Sequence, residues 1–418
     1  MRSRSSHAYF SFCLLCFVVL SISSQPVKAS TEKNNAEFLA LHWQQPIQAI
    51  LPTTNNDQIN TTFAPKACAA CHPNKFSDWQ NSLHAKAMSV GVLVQLKMLS
   101  SQALAKHYLN DKGCMHCHAP TKTQQQSLIS SLDNSAKSES KNSIHQQGVI
   151  CIACHVRDEH WFGPGTSLLK KNQSQVRQPN QNIRSHGSQS HSAFQSSQFC
   201  ANCHQFDIDG PSLAGKLIQN TYNEWQTSNF AMQEISCQSC HMPNKRHLFK
   251  GIHDKNMVLS GLTITSKLIK QEERIDAHLT IKNTNIGHHF PTYVTPRIIL
   301  RGYQVDAQGN VLEDSLLEHE IMRAVSLDLA DEYFDSRLAA GQSYRFDYNL
   351  PRLAEAKQLM FTITVEPDYF YQQFFTTMLE EKTINTSMDD SIVESLLSAK
   401  DKTDNSPYLL FSKEFLLN

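Results

Sequence analysis

Ten cysteines of the 418-residue chain fall into five copies of one spacing: Cys68-Ala-Ala-Cys71-His72, Cys114-Met-His-Cys117-His118, Cys151-Ile-Ala-Cys154-His155, Cys200-Ala-Asn-Cys203-His204 and Cys237-Gln-Ser-Cys240-His241. Two thiols three residues apart on one turn can form thioethers to the two vinyl groups of a haem. The imidazole that follows then points at the iron. Random sequence of this composition yields on the order of 0.02 such matches per chain, so five are not accidental. The pattern predicts five covalently attached haem c groups, with His72, His118, His155, His204 and His241 as proximal iron ligands.

Two other uses of paired cysteines fit less well. A disulfide framework does not require five pairs each followed by histidine. Zinc ribbons do not need that histidine either, and five pairs leave an odd half-site.

The first 29 residues read as a signal peptide. Arg2 and Arg4 form a basic start, Phe10 to Leu20 is apolar, and Val27-Lys28-Ala29 offers small residues for cleavage before Ser30. The apolar run is shorter than the ~20 residues of a membrane span, and no later run reaches that length. Cleavage removes Cys13 and Cys16 and leaves 35 basic against 38 acidic residues. That balance argues against a nucleic-acid binder. The expected location is the periplasm, with the cell surface as the alternative.

The elements that must position the haems divide the chain unevenly. Residues 30–63 read as a polar, irregular N-terminal arm. Residues 64–257 hold all five motifs, at a density too high for a separate protein core around each haem, so short helices joined by loops are expected. Thr121 to Gln147 and Lys170 to Gln198 are rich in Ser, Gln, Asn and Lys and read as surface loops, partly disordered. After about residue 258 the period changes to two, as in Ile275, Ala277, Leu279 and Ile281. Asp306-Ala-Gln-Gly309-Asn310 carries a hairpin signal. Residues 258–418 are therefore expected to form an antiparallel β-sandwich without haem, with terminal helices over 368–381 and 388–402 packed onto it. The fold class is α+β: a mainly helical, loop-rich multihaem domain followed by the sandwich.

Each iron needs a sixth ligand or an open site, and that choice separates a wire from an enzyme. Of 20 histidines, five are proximal and His7 leaves with the signal, so fourteen remain. Bis-histidine ligation would explain that excess. Met88, Met115 or Met242 could serve instead and would raise the potential. His116 sits inside the second motif loop, where geometry disfavours ligation to its own haem.

Trp79-x-x-Ser82-x-His84 after the first motif, and Tyr222-x-x-Trp225 before Cys237-Gln-Ser-Cys240-His241-Met242-Pro243, resemble multihaem c-type cytochromes with a cytochrome c-554-like haem domain. These are related to the tetrahaem carrier that accepts electrons from hydroxylamine oxidoreductase. The resemblance covers roughly residues 65 to 255. It implies that His84 is a distal ligand. His160 follows His155 by five residues, near where the family places a distal histidine, although the usual Gly-Pro-Gly between them is absent. His145 is its alternative. His191, with His186 as understudy, precedes Cys200 in a serine-rich approach like one seen in relatives. His247 and His253 follow the fifth motif, and one of them is expected to ligate. Gly287-His288-His289-Phe290-Pro291-Thr292 is similar to segments of multihaem cytochromes that carry a β-domain. There His288 either crosses the domain interface to an iron or bonds to backbone in a turn.

The leading functional expectation is electron transfer in anaerobic respiration through closely packed bis-histidine haems. The redox partners would be proteins such as a quinol-oxidising membrane cytochrome or a terminal reductase. A reductase of a small nitrogen or sulfur oxyanion at one five-coordinate haem is the alternative, although every motif ends in His where pentahaem nitrite reductases typically carry a C-x-x-C-K. A subunit of an extracellular cytochrome polymer is a third. Intact mass of the exported protein is expected to show a chain beginning at Ser30 with five haems attached. A Cys68→Ala/Cys71→Ala variant is expected to lose one haem of the five.

Overall fold

The computed structural model describes residues 25–44, 47–48, 64–97, 113–133, 143–164, 188–384 and 390–417. Residues 1–24 of the expected signal peptide lie outside these, whereas its last five residues, 25–29, are helical. His186 and residues 165–187 of the second polar segment also lie outside. Short helices make up the N-terminal part and antiparallel sheets the C-terminal part, the α+β arrangement expected.

Seven strands build the sheets: β1 (Leu262–Gln271), β2 (Arg274–Asn283), β3 (Arg297–Val305), β4 (Leu317–Ile321), β5 (Ser343–Pro351), β6 (Gln358–Glu366) and β7 (Tyr408–Leu416). One sheet runs β5-β2-β1 and the other β7-β6-β3-β4, every neighbouring pair antiparallel. In β2, Ile275, Ala277, Leu279 and Ile281 are fully buried while the residues between them are polar, so one face is closed. Ile298, Leu300, Phe361, Ile363 and Val365 of the other sheet complete the same core. At Gly302 an added Cβ would lie 2.6 Å from the Tyr348 ring of the facing sheet and 2.9 Å from Phe361 on the neighbouring strand. The Asp306 turn closes as a hairpin: its carboxylate accepts from the backbone N–H groups of Gln308 and Asn310, and Val305 bridges Val311.

Six helices frame the motifs: α1 (Gln25–His42), α2 (Pro73–Gln80), α3 (Val90–Lys97), α4 (Lys122–Asp133), α5 (Tyr369–Ile384) and α6 (Asp390–Asp404). Several depart from expectation. The N-terminal arm is helical up to His42. Asn35, Leu39 and His42 are buried at helical spacing, a face disguised by the polar residues around it. Phe38 stacks on His191 with centroids 3.8 Å apart, tying α1 to the fourth motif's approach.

Thr121–Gln147 is not simply a surface loop either. Thr121 and Gln124 form a reciprocal capping box at the start of α4, and Gln124 and Leu128 are buried. The Gln124 amide donates to the carbonyls of Ile144 and Gly148, so the glutamines counted as loop formers instead bridge two segments.

The terminal helices also land elsewhere than expected. Phe375, Met378, Leu396 and Ala399 of α5 and α6 form a cluster with Val94 of α3, so this hairpin packs against the motif-bearing part. An added Cβ on Gly91, the second residue of α3, would lie 2.6 Å from the Tyr371 ring, so this close approach needs a residue without a side chain. The chain then returns as β7, a strand that the sequence reading did not anticipate. It pairs with β6 across a bulge at Ile363/Thr364 and buries Leu410 and Leu417.

Overpacking at Gly302 sets a test. Gly302→Ala is expected to cost roughly 1–3 kcal/mol and to lower the melting temperature. An unchanged melting curve would mean that the sheets can separate locally without loss.

Candidate haem-binding site

Each motif lies on a single helical turn: Pro65–Ala69 closing on Cys71 and His72, then Cys114–His118, Cys151–His155, Gln198–His204 and Cys237–His241. In the first, the N–H groups of Cys71 and His72 both donate to the Cys68 carbonyl, at 3.3 and 2.9 Å. None of the ten motif cysteines is paired in a disulfide. The turns also touch one another, with Cys68 against Cys151, Cys117 against Cys203 and Cys200 against Cys237. His116, Cys117 and Cys203 lie close enough together to suggest a metal site. These are, however, the sulfurs of two haem-attachment turns, and His116 Nε2 is bonded to the Asn202 carbonyl.

The hydrogen bonds of the proximal histidines suit iron. Nδ1 of His118 donates to the Ala87 carbonyl at 2.5 Å, that of His155 to Phe162 at 2.8 Å, and that of His241 to Lys250 at 2.7 Å. Fixing the proton on Nδ1 leaves Nε2 with its lone pair for a metal.

An iron held between two imidazoles at about 2 Å from each nitrogen, with ring centres about 1 Å further out, separates the centroids by roughly 6 Å. Three pairs stand at that separation. His84 and His204 are 6.2 Å apart, His155 and His247 6.0 Å, and His241 and His288 6.3 Å with planes within 18°. Each pair joins one motif histidine to one predicted distal histidine. Nδ1 of His247 and of His288 is tied to a carbonyl of its own segment, Lys245 and His289 respectively. Burial, then the neighbouring imidazoles, pushes His84 down to about 3 and His204 to about 4. Burial likewise pushes His247 and His288 to about 4. Neutral imidazoles are the form an iron binds. On donor chemistry and spacing, the residues fit haem.

The W-x-x-S-x-H stretch has a visible mechanical role. Trp79 Nε1 donates to the Val149 carbonyl at 2.7 Å, and Ser82 Oγ donates to the Trp79 carbonyl at 2.7 Å. The His84 carbonyl accepts from the Val149 N–H at 2.8 Å, two residues before Cys151. Gly148, at φ 66°, lies so close that an added Cβ would be 2.2 Å from the His84 carbonyl oxygen. His84 is thus pinned to the third motif while its ring faces the fourth.

The other predicted histidines have different surroundings. His160 is exposed on a short hairpin with Nδ1 on the Asp158 carbonyl. His191 caps the turn Ser192–Gln195 by accepting from Ala193 N–H. His253 faces the Asp368 carboxylate at 2.9 Å. His145 is buried, with Nδ1 2.9 Å from Ser127 Oγ. Met88 and Met115 pack in an apolar cluster with Val92, Leu96 and Leu128.

Three groups were not singled out from sequence. His42, 2% exposed, sits among Phe38, Trp43, Phe162, Phe194 and Phe199, and its Nε2 donates to the Cys154 carbonyl at 2.9 Å. Its burial rhythm with Asn35 and Leu39 was the available signal. Asp78 on α2 takes a two-pronged bond from Arg246, which holds its carboxyl at about 2. Glu224, on the helix Thr221–Gln226, receives the Gly287–Thr292 turn of the sandwich and Arg337. Burial alone would raise its carboxyl, but His289 and Arg337 hold it below the usual carboxylate range. Neither acid belongs to a recognisable motif.

Comparison with known proteins points the same way. The family model described as cytochrome c554 and c-prime matches residues 67–156. A penta-heme cytochrome c552 from Thermochromatium tepidum is similar in fold, with a TM-score of 0.56 at 18% identity, covering 84% of this chain and 97% of that one. A likeness to the ApaA protein of Bordetella pertussis, 13% identical over 25% of this chain and 74% of that one, has a TM-score of 0.14 and carries no argument. No curated protein matches. The family match over the first three motifs and the shared fold support a multihaem c-type cytochrome with covalently bound haem c.

Proposed function

We propose that the chain is an exported electron carrier with five haems, most of them held between two histidines, that passes single electrons between redox proteins in anaerobic respiration. The observation that carries this reading is the set of three imidazole pairs at 6.0–6.3 Å. Haem supplies one-electron chemistry at each iron when bound. The chain's own residues do the rest. Their neutral imidazoles would ligate the irons, and bis-histidine ligation favours low potentials. The contacts Cys68–Cys151, Cys117–Cys203 and Cys200–Cys237 join the first turn to the third and the fourth to both the second and the fifth, the close packing that electron hopping needs. A quinol-oxidising membrane cytochrome or a terminal reductase would fit as a partner, and the periplasm as the location. Among the described residues no helix is long and apolar enough to cross a membrane.

One observation favours a reductase as the second reading. Among the described residues no imidazole is paired with His118, whose proximal bond to Ala87 is intact. Tyr293 and Tyr371 lie near the second motif, where desolvation pushes both phenols up, followed for Tyr293 by Tyr371 and for Tyr371 by Cys114. His107 falls outside the described residues. An open iron there would take a small oxyanion beside two phenols.

Carbon monoxide titration of the fully reduced holoprotein separates these. No binding is expected of a carrier with every iron closed. One CO per chain would establish an open site and move the work to nitrite, hydroxylamine and tetrathionate as substrates. His84→Ala is expected to make one haem high-spin without loss of covalent haem. A spectrum unchanged from the parent would remove His84 from the ligand set.

A further inference from the structure

Two buried carboxylates repeat one arrangement at two of the three imidazole pairs. The Asp78 side chain is 4% exposed and accepts from Arg246 Nε at 2.7 Å, Arg246 Nη2 at 2.5 Å and the His247 backbone N–H at 3.0 Å. The Glu224 side chain is 3% exposed and accepts from the His289 backbone N–H at 3.0 Å, Thr292 Oγ1 at 2.9 Å and Arg337 Nη1 at 3.2 Å. In both cases an acid on a helix of the motif-bearing part receives one arginine and one peptide N–H. That N–H belongs to a paired histidine itself, His247, or to the residue beside one, His288.

We infer that Asp78 and Glu224 are positioning residues that aim His247 and His288 at their irons, an inference that rests on the ligand reading above. The causal chain is short. Each of these histidine rings is tied through Nδ1 to a carbonyl within its own segment, Lys245 for His247 and His289 for His288. The direction of Nε2 therefore follows the orientation of the local backbone. That backbone is held from outside by the acid. The segment after the fifth motif turns through Asn244 and Lys245, both at positive φ, and has no strand or long helix to stiffen it before His247. A bidentate arginine–carboxylate pair supplies the missing rigidity, since its geometry is fixed in plane and distance. At Glu224 the same work crosses from the motif-bearing part to the sandwich, and Asp335 braces Arg337 from the other side at 2.8 and 2.9 Å. A carboxylate this buried keeps its charge only while all its donors are present. Each acid therefore prefers the one backbone arrangement that satisfies it.

The inference is tested on oxidised holoprotein by low-temperature spin-state spectroscopy, with covalent haem counted separately. Asp78→Ala is expected to convert one haem per chain to high spin, as does His247→Ala, and the double variant is expected to convert no more than one. Glu224→Ala and His288→Ala should behave in the same way at a different haem. Added imidazole should return the Asp78→Ala spectrum to low spin. Full low-spin content in both acid variants would overturn the positioning role, as would a double variant that opens two irons. If His247→Ala and His288→Ala themselves leave the spectrum unchanged, the ligand reading fails first and takes this inference with it. Should the alanine variants not accumulate, Asp78→Asn and Glu224→Gln keep an acceptor oxygen but lose the charge. Their reduced forms are then expected to bind CO above the parent level, and CO binding at the parent level would overturn the role.

Discussion

An axial bond to haem iron fixes a direction as well as a distance, and it has to be met from both faces of the macrocycle. The attachment turn supplies one face locally. The other face must come from elsewhere in the chain, and its imidazole must arrive neutral with the correct nitrogen free. On the proposed ligation, most of the motif-bearing part answers that demand. The carbonyls of Ala87, Phe162 and Lys250 set the proximal tautomers. Trp79, Ser82 and Gly148 hold the segment that offers His84. Few residues are left to build an ordinary apolar core, and the clusters around Ile150 and Met115 are correspondingly small.

The sandwich has a different economy. It closes its own core with the alternating faces of seven strands and needs no cofactor to do so. Its contribution to the rest is a rigid edge. The Gly287–Thr292 turn projects from it toward the fifth motif, and Thr221 Oγ1 meets Thr292 Oγ1 at 2.7 Å across the join. Arg323, 1% exposed, adds three bonds to the carbonyls of Leu213, Lys216 and Leu217 in the motif-bearing part. The α5–α6 hairpin then reaches back to α3, so the join is made at more than one place.

How much was legible follows from how local each signal is. The C-x-x-C-H turns and the strand alternation of β2 are complete within a few residues, and both appear in sequence and structure alike. His84 and His288 were singled out through short patterns around them, and His247 together with His253, which faces Asp368. The failures are non-local. Gln124 reads as a loop residue until its amide is found between Ile144 and Gly148. β7 is recognisable only beside β6, and the face of α1 only against Phe162 and Phe194. Asp78 has no signature at all, because its partner Arg246 is remote in sequence and arbitrary in spacing.

On the proposed export and ligation, the imidazole pairs also differ in chain order, since the chain would emerge N-terminus first. His84 precedes His204, so on the proposed ligation the partner for the fourth haem is already outside when that haem is attached. His155 and His241 precede His247 and His288, so the third and fifth haems spend part of their early life with one face uncovered. For the fifth, that interval lasts until β1 and β2 have emerged and the turn after them can form. Delay at this stage exposes a reactive iron, and completion of the sandwich brings the interval to an end.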